Sequence, residues 1–394
     1  MSIELNKKQQ LGLKLAVDRF KSGEKYTVIA GYAGTGKSTL VRFIIDALNI
    51  SEDSVCYATF TGKAAEVLRK KGNKNAMTLH KLLYDSIPKS DGTFYRRPKE
   101  SLDYDLVVVD EISMVPGKFI ELLFSYNCHV ICLGDPYQLP PIDKNDANTL
   151  LDNPHIFLDE IMRQEAESEI IQLTMKIRNG EDIPFMHGKE VIVAPKAELV
   201  TGHLTWADII ICATNKTRHD MNRQKRELLG YSGVLQTGER IIVKRNYWED
   251  CDEDGNALVN GTIGTVANPY ESFVRIPSYV KNNRRDLPLI GCIFTPDGGK
   301  SFDTFEIDKD YLLKEEPCVD WRVSYQLGKL KPKIGDILPK QATYGYALTC
   351  HAAQGSEFDK VLVIEESFPF DKTEHQRWLY TAVSRSAEKC ILVR

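Results

Sequence analysis

No Cys-x-x-Cys pair occurs among the nine cysteines, and their number is odd. That pattern excludes a zinc ribbon, a thioredoxin-type redox motif and a disulfide framework. Reduced thiols are expected, with Cys212 and Cys350, in apolar runs, as small core residues. No apolar run reaches the ~18 residues that a membrane-crossing helix needs, and Met1–Gln10 lacks the apolar core of a secretory signal. A cytoplasmic chain with no membrane partner is therefore expected. An excess of charge of one sign is missing too: 51 Lys+Arg against 55 Asp+Glu leave a net charge of −4. This excludes wholesale electrostatic coating of a polyanion but leaves room for a local basic groove. Low-complexity tracts and repeated sequence motifs are also absent.

What remains is the balance of an ordinary globular protein, 42% hydrophobic and 27% charged, over 394 residues. That length exceeds what one core holds, so more than one domain is expected. Tyr26–Ala30 reads as a short β-branched strand, followed by a glycine loop and then a helix over Lys37–Leu48, with Leu40, Phe43, Ile44 and Leu48 at helical spacing. Val55–Phe60 is a second strand. Leu106–Val109 and Val130–Leu133 are continuous apolar runs of the kind buried on both faces of a parallel sheet. The α/β pattern returns with a strand over Asp208–Cys212, a polar helix from about Thr217 to Leu229, and strands at Val361–Ile364 and Ile391–Val393. Between them, over 236–340, helical periodicity gives way to Gly, Pro, Asn and short β runs at Arg240–Val243, Gly264–Val266 and Phe273–Ile276. The fold class is thus α/β, with two doubly wound units. The first covers 1–159, with an insertion at 84–104. The second covers 160–394, with a β-rich insertion at about 236–340.

Gly31-Tyr32-Ala33-Gly34-Thr35-Gly36-Lys37-Ser38 fits G-x-x-x-x-G-K-[ST] with a strand before it and a helix after it. Glycines let backbone N–H groups wrap phosphates, and the helix N-terminus adds a favourable dipole. Lys37 reaches the β- and γ-phosphates, and the Ser38 hydroxyl is a Mg²⁺ ligand. Gly31, Gly34, Thr35, Gly36, Lys37, Ser38 and Thr39 are the candidate nucleotide-binding residues. Asp110-Glu111 closes the buried strand at 106–109. A carboxylate there is placed to hold Mg²⁺, and Glu111 to orient and deprotonate an attacking water. Gln138, in the loop Gly134–Pro141, lies at the same sheet edge and is a candidate γ-phosphate contact. A nucleoside kinase is disfavoured, because it needs no second α/β unit.

These runs, with Leu5–Gln9, Ala58–Ala65, Thr78–Leu83, Met162–Gln164, Ala347–Glu357 and Leu379–Arg385, resemble in order and spacing the superfamily 1 DNA helicases of the RecD-like and bacteriophage Dda-like branch. The resemblance implies two RecA-like motor domains, the second with an SH3-like β insertion. It implies an ATP- and Mg²⁺-dependent monomer that moves 5′→3′ on single-stranded DNA and opens forked duplexes, with replication or recombination proteins as further partners. A weakly unwinding translocase and a nucleotide-gated DNA-binding module are alternatives. By resemblance, Gln9 reads adenine, Arg163 and Arg385 are arginine fingers from the second motor domain, and Gln354 is a second γ-phosphate sensor. Thr61, Lys63, Thr78, His80, Thr349 and His351 fall in runs that contact single-stranded DNA. Ala352 stands where relatives carry lysine. Asp91-Gly92 is a hairpin turn signal. Phe94 just beyond it resembles the aromatic tip of a strand-separating pin, or else packs on its own hairpin. The basic residues Arg284, Arg285, Lys329, Lys331 and Lys333 of the second insertion either touch phosphates or are solvated.

Overall fold

A computed structural model describes residues 4–88, 94–140, 146–162, 167–251, 257–278, 280, 285–319, 323–324, 326–327, 338–366 and 371–394, without the side chains of Lys70, Ser86, Pro88, Phe94, Tyr95, Trp248, Glu249 and Ala257. The apolar runs build two six-stranded sheets. The first has the order Ala76–Thr78, Val55–Thr59, Leu106–Val109, His129–Gly134, Tyr26–Gly31, Ile156–Leu158, all parallel. Its central strands are buried on both faces, which is why they read as unbroken Val, Ile and Leu. One face packs on the helix Lys37–Leu48 through Leu40, Val41 and Ile44. The other packs on the helices Leu79–Leu83 and Gly117–Ser125.

The second sheet runs Ala347–Thr349, Ile209–Cys212, Phe358–Ile364, Ser386–Val393, Val191–Ala194, Met186–His187. It is parallel except for its last, two-residue edge strand. The two sheets share one plan. Tyr26–Gly31 and Val191–Ala194 hold the same place, fifth in each order, yet Pro195-Lys196 follows the second where the glycine loop follows the first. Ala76–Thr78 and Ala347–Thr349 are the equivalent opposite edges, each leading into a short helix through Thr78-Leu79-His80 and Thr349-Cys350-His351. The absence of a repeated motif in the sequence therefore hides a structural duplication. Its trace is this pair of Thr-x-His triplets.

A third, antiparallel sheet lies between the helix Asn215–Leu228 and the strand Ala347–Thr349. Its order is Phe302–Asp308, Asp286–Pro296, Ile263–Arg275, Arg240–Val243, Ala342–Tyr344. Gly264–Val266 and Phe273–Ile276, expected as separate strands, belong to the single long strand Ile263–Arg275 up to Arg275. Asn268 at φ 49° and Pro269 interrupt the alternation, and the register shifts between Ala267 and Tyr270. Two antiparallel strands, Tyr84–Pro88 and Phe94–Pro98, form a hairpin whose turn at Asp91-Gly92 lies outside the described residues. Cys212 and Cys350 are free thiols and buried.

Asn222 holds the short edge strand of the second sheet in place. Buried on the helix Asn215–Leu228, its Oδ1 accepts from the Tyr346 and Ala347 N–H groups at 2.9 and 3.0 Å, and its Nδ2 donates to Ala347 O at 3.3 Å. Asn222→Ala leaves these buried backbone groups without partners. A loss of about 3 kcal/mol of unfolding free energy is expected, read as a lower urea midpoint at unchanged slope. A change under about 0.5 kcal/mol would show that the contact is dispensable.

Candidate nucleotide and nucleic-acid sites

The strand Tyr26–Gly31 delivers the glycine loop to the edge of the first sheet. Gly34 and Gly36 take left-handed φ values of 73° and 76°, open to glycine without strain. Gly36 is also the N-cap of the helix Lys37–Leu48 and puts no side chain on its first-turn N–H groups, which face outward as an anion site. Lys37 folds back over the loop, its Nζ donating to Gly31 O at 2.8 Å and Tyr32 O at 2.9 Å. The Thr35 hydroxyl donates to Tyr32 O at 2.8 Å. Ser38 is exposed on the first turn and Thr39 half-buried beside it. Gln9 is wholly buried under the loop. Its Oε1 accepts from Asn6 N–H at 3.0 Å, and its Nε2 donates to Thr35 O at 3.1 Å and contacts Met162 Sδ at 3.1 Å. One end of this amide thus closes the cap of its own helix, and the other ties that helix to the loop.

Asp110 and Glu111 end the strand Leu106–Val109. Asp110 Oδ1 accepts from the Glu111 N–H at 2.9 Å. Burial, then the charge of Glu111, push the Asp110 carboxyl up to about 6, against the pull of Lys37 and Lys71. Glu111 sits at φ 53°, unusual for a residue with a side chain. Its carboxylate faces Arg385, whose Nη1 is 3.5 Å away. Gln138 lies between the two, and the amide orientation that satisfies both neighbours has its nitrogen donating to Glu111 Oε2 at 2.7 Å and its oxygen accepting from Arg385 Nη2 at 3.1 Å. Arg385, from the far end of the chain, is nearly fully buried there. Arg163 lies outside the described residues.

Ser38 and Asp110 are hard oxygen donors, and Asp110 is a buried carboxylate lacking a directly paired cation among the described residues. That donor set fits Mg²⁺. Mg²⁺ is held by one or two protein oxygens and completes its shell with phosphates and water.

The loop after Gly134 reaches across to the second sheet. Leu139 inserts its side chain into the core cluster of that sheet, with Ile209, Val363 and Leu379. Its N–H donates to Thr381 Oγ1 at 3.1 Å, and its carbonyl accepts from Gln354 Nε2 at 3.0 Å. Gln354, expected at the γ-phosphate, here grips this loop.

Gln354 also lines a cleft of about 330 Å³ on the other side. Thr61, Lys63, Thr78, His80 and His351 line the same cleft, while Thr349 is half-buried just before it. The Thr61 and Thr78 hydroxyls cap their helices, accepting from Ala64 N–H at 3.3 Å and Lys81 N–H at 3.2 Å. Lys63 pairs with Glu66 at 3.2 Å. His80 packs edge-on to Phe119, ring centres 4.7 Å apart. Burial, helped by Arg96 and Lys118, pushes its pKa down to about 4, so it is a neutral hydrogen-bonding group at neutral pH. Burial lowers His351 as well. Sequence reasoning missed Lys244 and Asn260, which line this cleft from the root of the third sheet beside Ala352. No local motif marks Lys244; Val259, next to Asn260, packs against Gly62, where an added Cβ would lie 2.3 Å from it, and brings this segment to the cleft. Burial and the nearby Arg218 lower the Lys244 pKa, with Glu315 opposing. The side chain of Phe94, with Arg284, Lys329, Lys331 and Lys333, lies outside the described residues.

The buried Asp110 has a stability signature. Its folded pKa of about 6 exceeds the ordinary value of 3.8, so the folded state holds the proton more tightly. The resulting stabilisation is full below about 3.8 and is lost as pH rises through about 6. Asp110→Asn should therefore melt above the wild type at about pH 7.5 without nucleotide, the gap closing on acidification towards about pH 4. A variant that melts lower at the higher pH would contradict the assigned environment.

The AAA domain family matches residues 4–191, and the UvrD-like helicase C-terminal domain family matches 344–393. The ATP-dependent RecD2 DNA helicase of Deinococcus radiodurans is 33% identical over 385 residues, covering 93% of this chain and 47% of that protein. The ATP-dependent DNA helicase dda of Enterobacteria phage T4 is 28% identical over 193 residues, 45% of this chain and 43% of that protein. The chain thus spans about half the length of RecD2, and its match to dda covers a similar share of that protein. Uncharacterized protein R530 of Acanthamoeba polyphaga mimivirus is 32% identical over 497 residues, covering 98% of both chains. Among solved structures, Bacteroides Pif1 helicase with ADP-AlF3 and ssDNA superposes with a TM-score of 0.54 at 18% identity, over 99% of this chain and 92% of that one. A structure of Pif1 helicases at forked dsDNA gives 0.55 at 19%, with the same coverage. The two parallel sheets are the cores of two RecA-like domains, and the chain, with its AAA and UvrD-like helicase C-terminal domains, is similar to the RecD2 and Dda helicases.

Proposed function

We propose that this chain is an ATP-dependent DNA helicase that translocates 5′→3′ on single-stranded DNA and separates forked duplexes. The observation that carries the proposal is the reach of Arg385, from the second RecA-like domain, to Glu111 and Gln138 of the first. A nucleotide site completed by an arginine from a second domain responds to how the two domains meet, which is what a motor needs.

ATP is bound by the glycine loop. Lys37 exchanges the Gly31 and Tyr32 carbonyls for phosphate oxygens, and the open N–H groups of the helix Lys37–Leu48 take the rest. Ser38 and Asp110 would hold Mg²⁺, which would supply positive charge against the phosphates. Glu111, aimed by its left-handed backbone, orients the attacking water and takes its proton. Arg385 moves from the Glu111 carboxylate to the γ-phosphate, where its planar fork matches the oxygens, and Gln138 follows both. Single-stranded DNA lies in the cleft lined by Thr61, Thr78, His80 and His351. Gln354 touches both this cleft and the Leu139 loop, and links DNA to hydrolysis. The protein acts as a monomer in the cytoplasm, with replication or recombination proteins as further partners. Among the described residues no helix is long and apolar enough to cross a membrane.

Turnover with and without single-stranded DNA, and displacement on forks with a 5′ or a 3′ tail, test this. DNA-stimulated hydrolysis and displacement from 5′ tails are expected. Stimulated turnover without displacement would leave a translocase, and DNA binding switched by ATP without turnover would leave a gated binding module. Arg385→Ala should lower kcat by about 10³-fold or more, roughly 4 kcal/mol, with little change in nucleotide affinity.

A further inference from the structure

Tyr380 belongs to no site described so far. It lies on the helix Lys372–Val383, which ends two residues before Arg385. Its side chain is almost wholly buried, and its hydroxyl crosses from the second domain into the first. There it donates to Asp135 Oδ2 at 2.5 Å and accepts from the Ala33 N–H at 3.0 Å. Ala33 is the third residue of the glycine loop. Asp135 is the first residue after the strand His129–Gly134 and opens the loop that carries Gln138 and Leu139. Asp135 is itself buried, and its carboxylate takes a second bond from the Tyr137 N–H at 2.9 Å. The Tyr137 ring packs edge-on against Tyr380, centres 5.4 Å apart. One phenol oxygen therefore ties three pieces together: the phosphate loop, the Gln138 loop and the helix leading to Arg385.

The lever is short. Tyr380 lies three residues, about 4.5 Å of rise, from the end of the helix at Val383, and Arg385 follows two residues later, so a displacement of Tyr380 is passed on to Arg385 over a short path. Thr381 and Gln354 hold the Leu139 end of the Gln138 loop, whereas Tyr380 registers the helix against the phosphate loop. Removing the hydroxyl leaves the Ala33 N–H without this partner and takes one of two donors from a buried carboxylate.

We propose that Tyr380 is a positioning residue, whose hydroxyl sets the helix Lys372–Val383 against the phosphate loop and thereby fixes where the Arg385 guanidinium stands over the hydrolytic site. The inference rests on the reading of Arg385 as a participant in ATP hydrolysis.

A double-mutant cycle on the full chain tests it. Wild type, Tyr380→Phe, Arg385→Ala and the double variant are assayed for turnover on saturating single-stranded DNA, with binding of a fluorescent ADP analogue and thermal melting in parallel. Tyr380→Phe should lower kcat by roughly tenfold or more, since misplacement by about 1 Å has effects of that order, with KM and ADP binding within about twofold. In the Arg385→Ala background the same change should cost under about twofold. An equal loss in both backgrounds, a loss confined to KM, or an unchanged kcat overturns the proposal. If Tyr380→Phe does not fold, Asp135→Asn, which keeps an acceptor oxygen and removes its charge, takes its place with the same expected non-additivity. A wild type without DNA-stimulated turnover overturns the helicase reading alone. The positional claim is then decided by phenylglyoxal labelling of Arg385, mapped by mass spectrometry. Labelling should speed up several-fold in Tyr380→Phe, and an unchanged rate overturns the proposal.

Discussion

Leu139 is covalently part of the first RecA-like domain and packs as part of the second. Its side chain sits in the second domain's core cluster, and both of its backbone groups are bonded to second-domain side chains. Burying a leucine contributes about 1.5–3 kcal/mol, and each hydrogen bond about 1 kcal/mol. These are small sums beside the cores of the two sheets, and they suit a joint between domains better than a permanent weld. The same loop carries Asp135 and Gln138, so the joint and the candidate nucleotide site are a few residues of one backbone. Anything that moves the second domain moves groups facing the phosphate site.

The electrostatics of that site follow from burial. Asp110, Glu111 and Asp135 crowd acidic groups into a region where water is scarce, and burial pushes both aspartates upward. Lys37, held by loop carbonyls, and Arg385, paired with Glu111, are cations at hand. Each is engaged by protein groups that phosphate oxygens can replace. The arrangement gives up stability near neutral pH to keep carboxylates where a divalent cation and a water would need them, the usual tension between a functional site and the fold around it.

The nucleic-acid cleft is built differently. Its histidines are held neutral by burial, its threonines double as helix caps, and Lys63 is paired. Few free cations line it, in keeping with a chain of net charge −4. The DNA contact proposed for this cleft would rest more on hydrogen bonds than on charge, with one of the duplicated Thr-x-His edges from each domain at or beside it.

Features whose physics is local were legible in the sequence. A phosphate loop needs glycines at left-handed positions, a strand before it and a helix after it, all within about twenty residues, and Gly34, Gly36 and Lys37 occupy the places this requires. The buried strands betray themselves by unbroken apolar runs, and the acidic pair by its place at the end of one. What spans the chain was not legible. The long strand Ile263–Arg275 read as two pieces because a register shift broke its alternation. Lys244 carries no motif, and no local pattern showed that Gln354 would bond the Leu139 carbonyl. The sequence by itself determined which backbone segments can cradle phosphate and which strands are buried, because φ preferences and two-sided burial act over a few residues. Only the tertiary structure decided that Arg385 meets Glu111, that Tyr380 meets Ala33 and that Leu139 lies in a foreign core, because side chains hundreds of residues apart come together only when the two sheets pack.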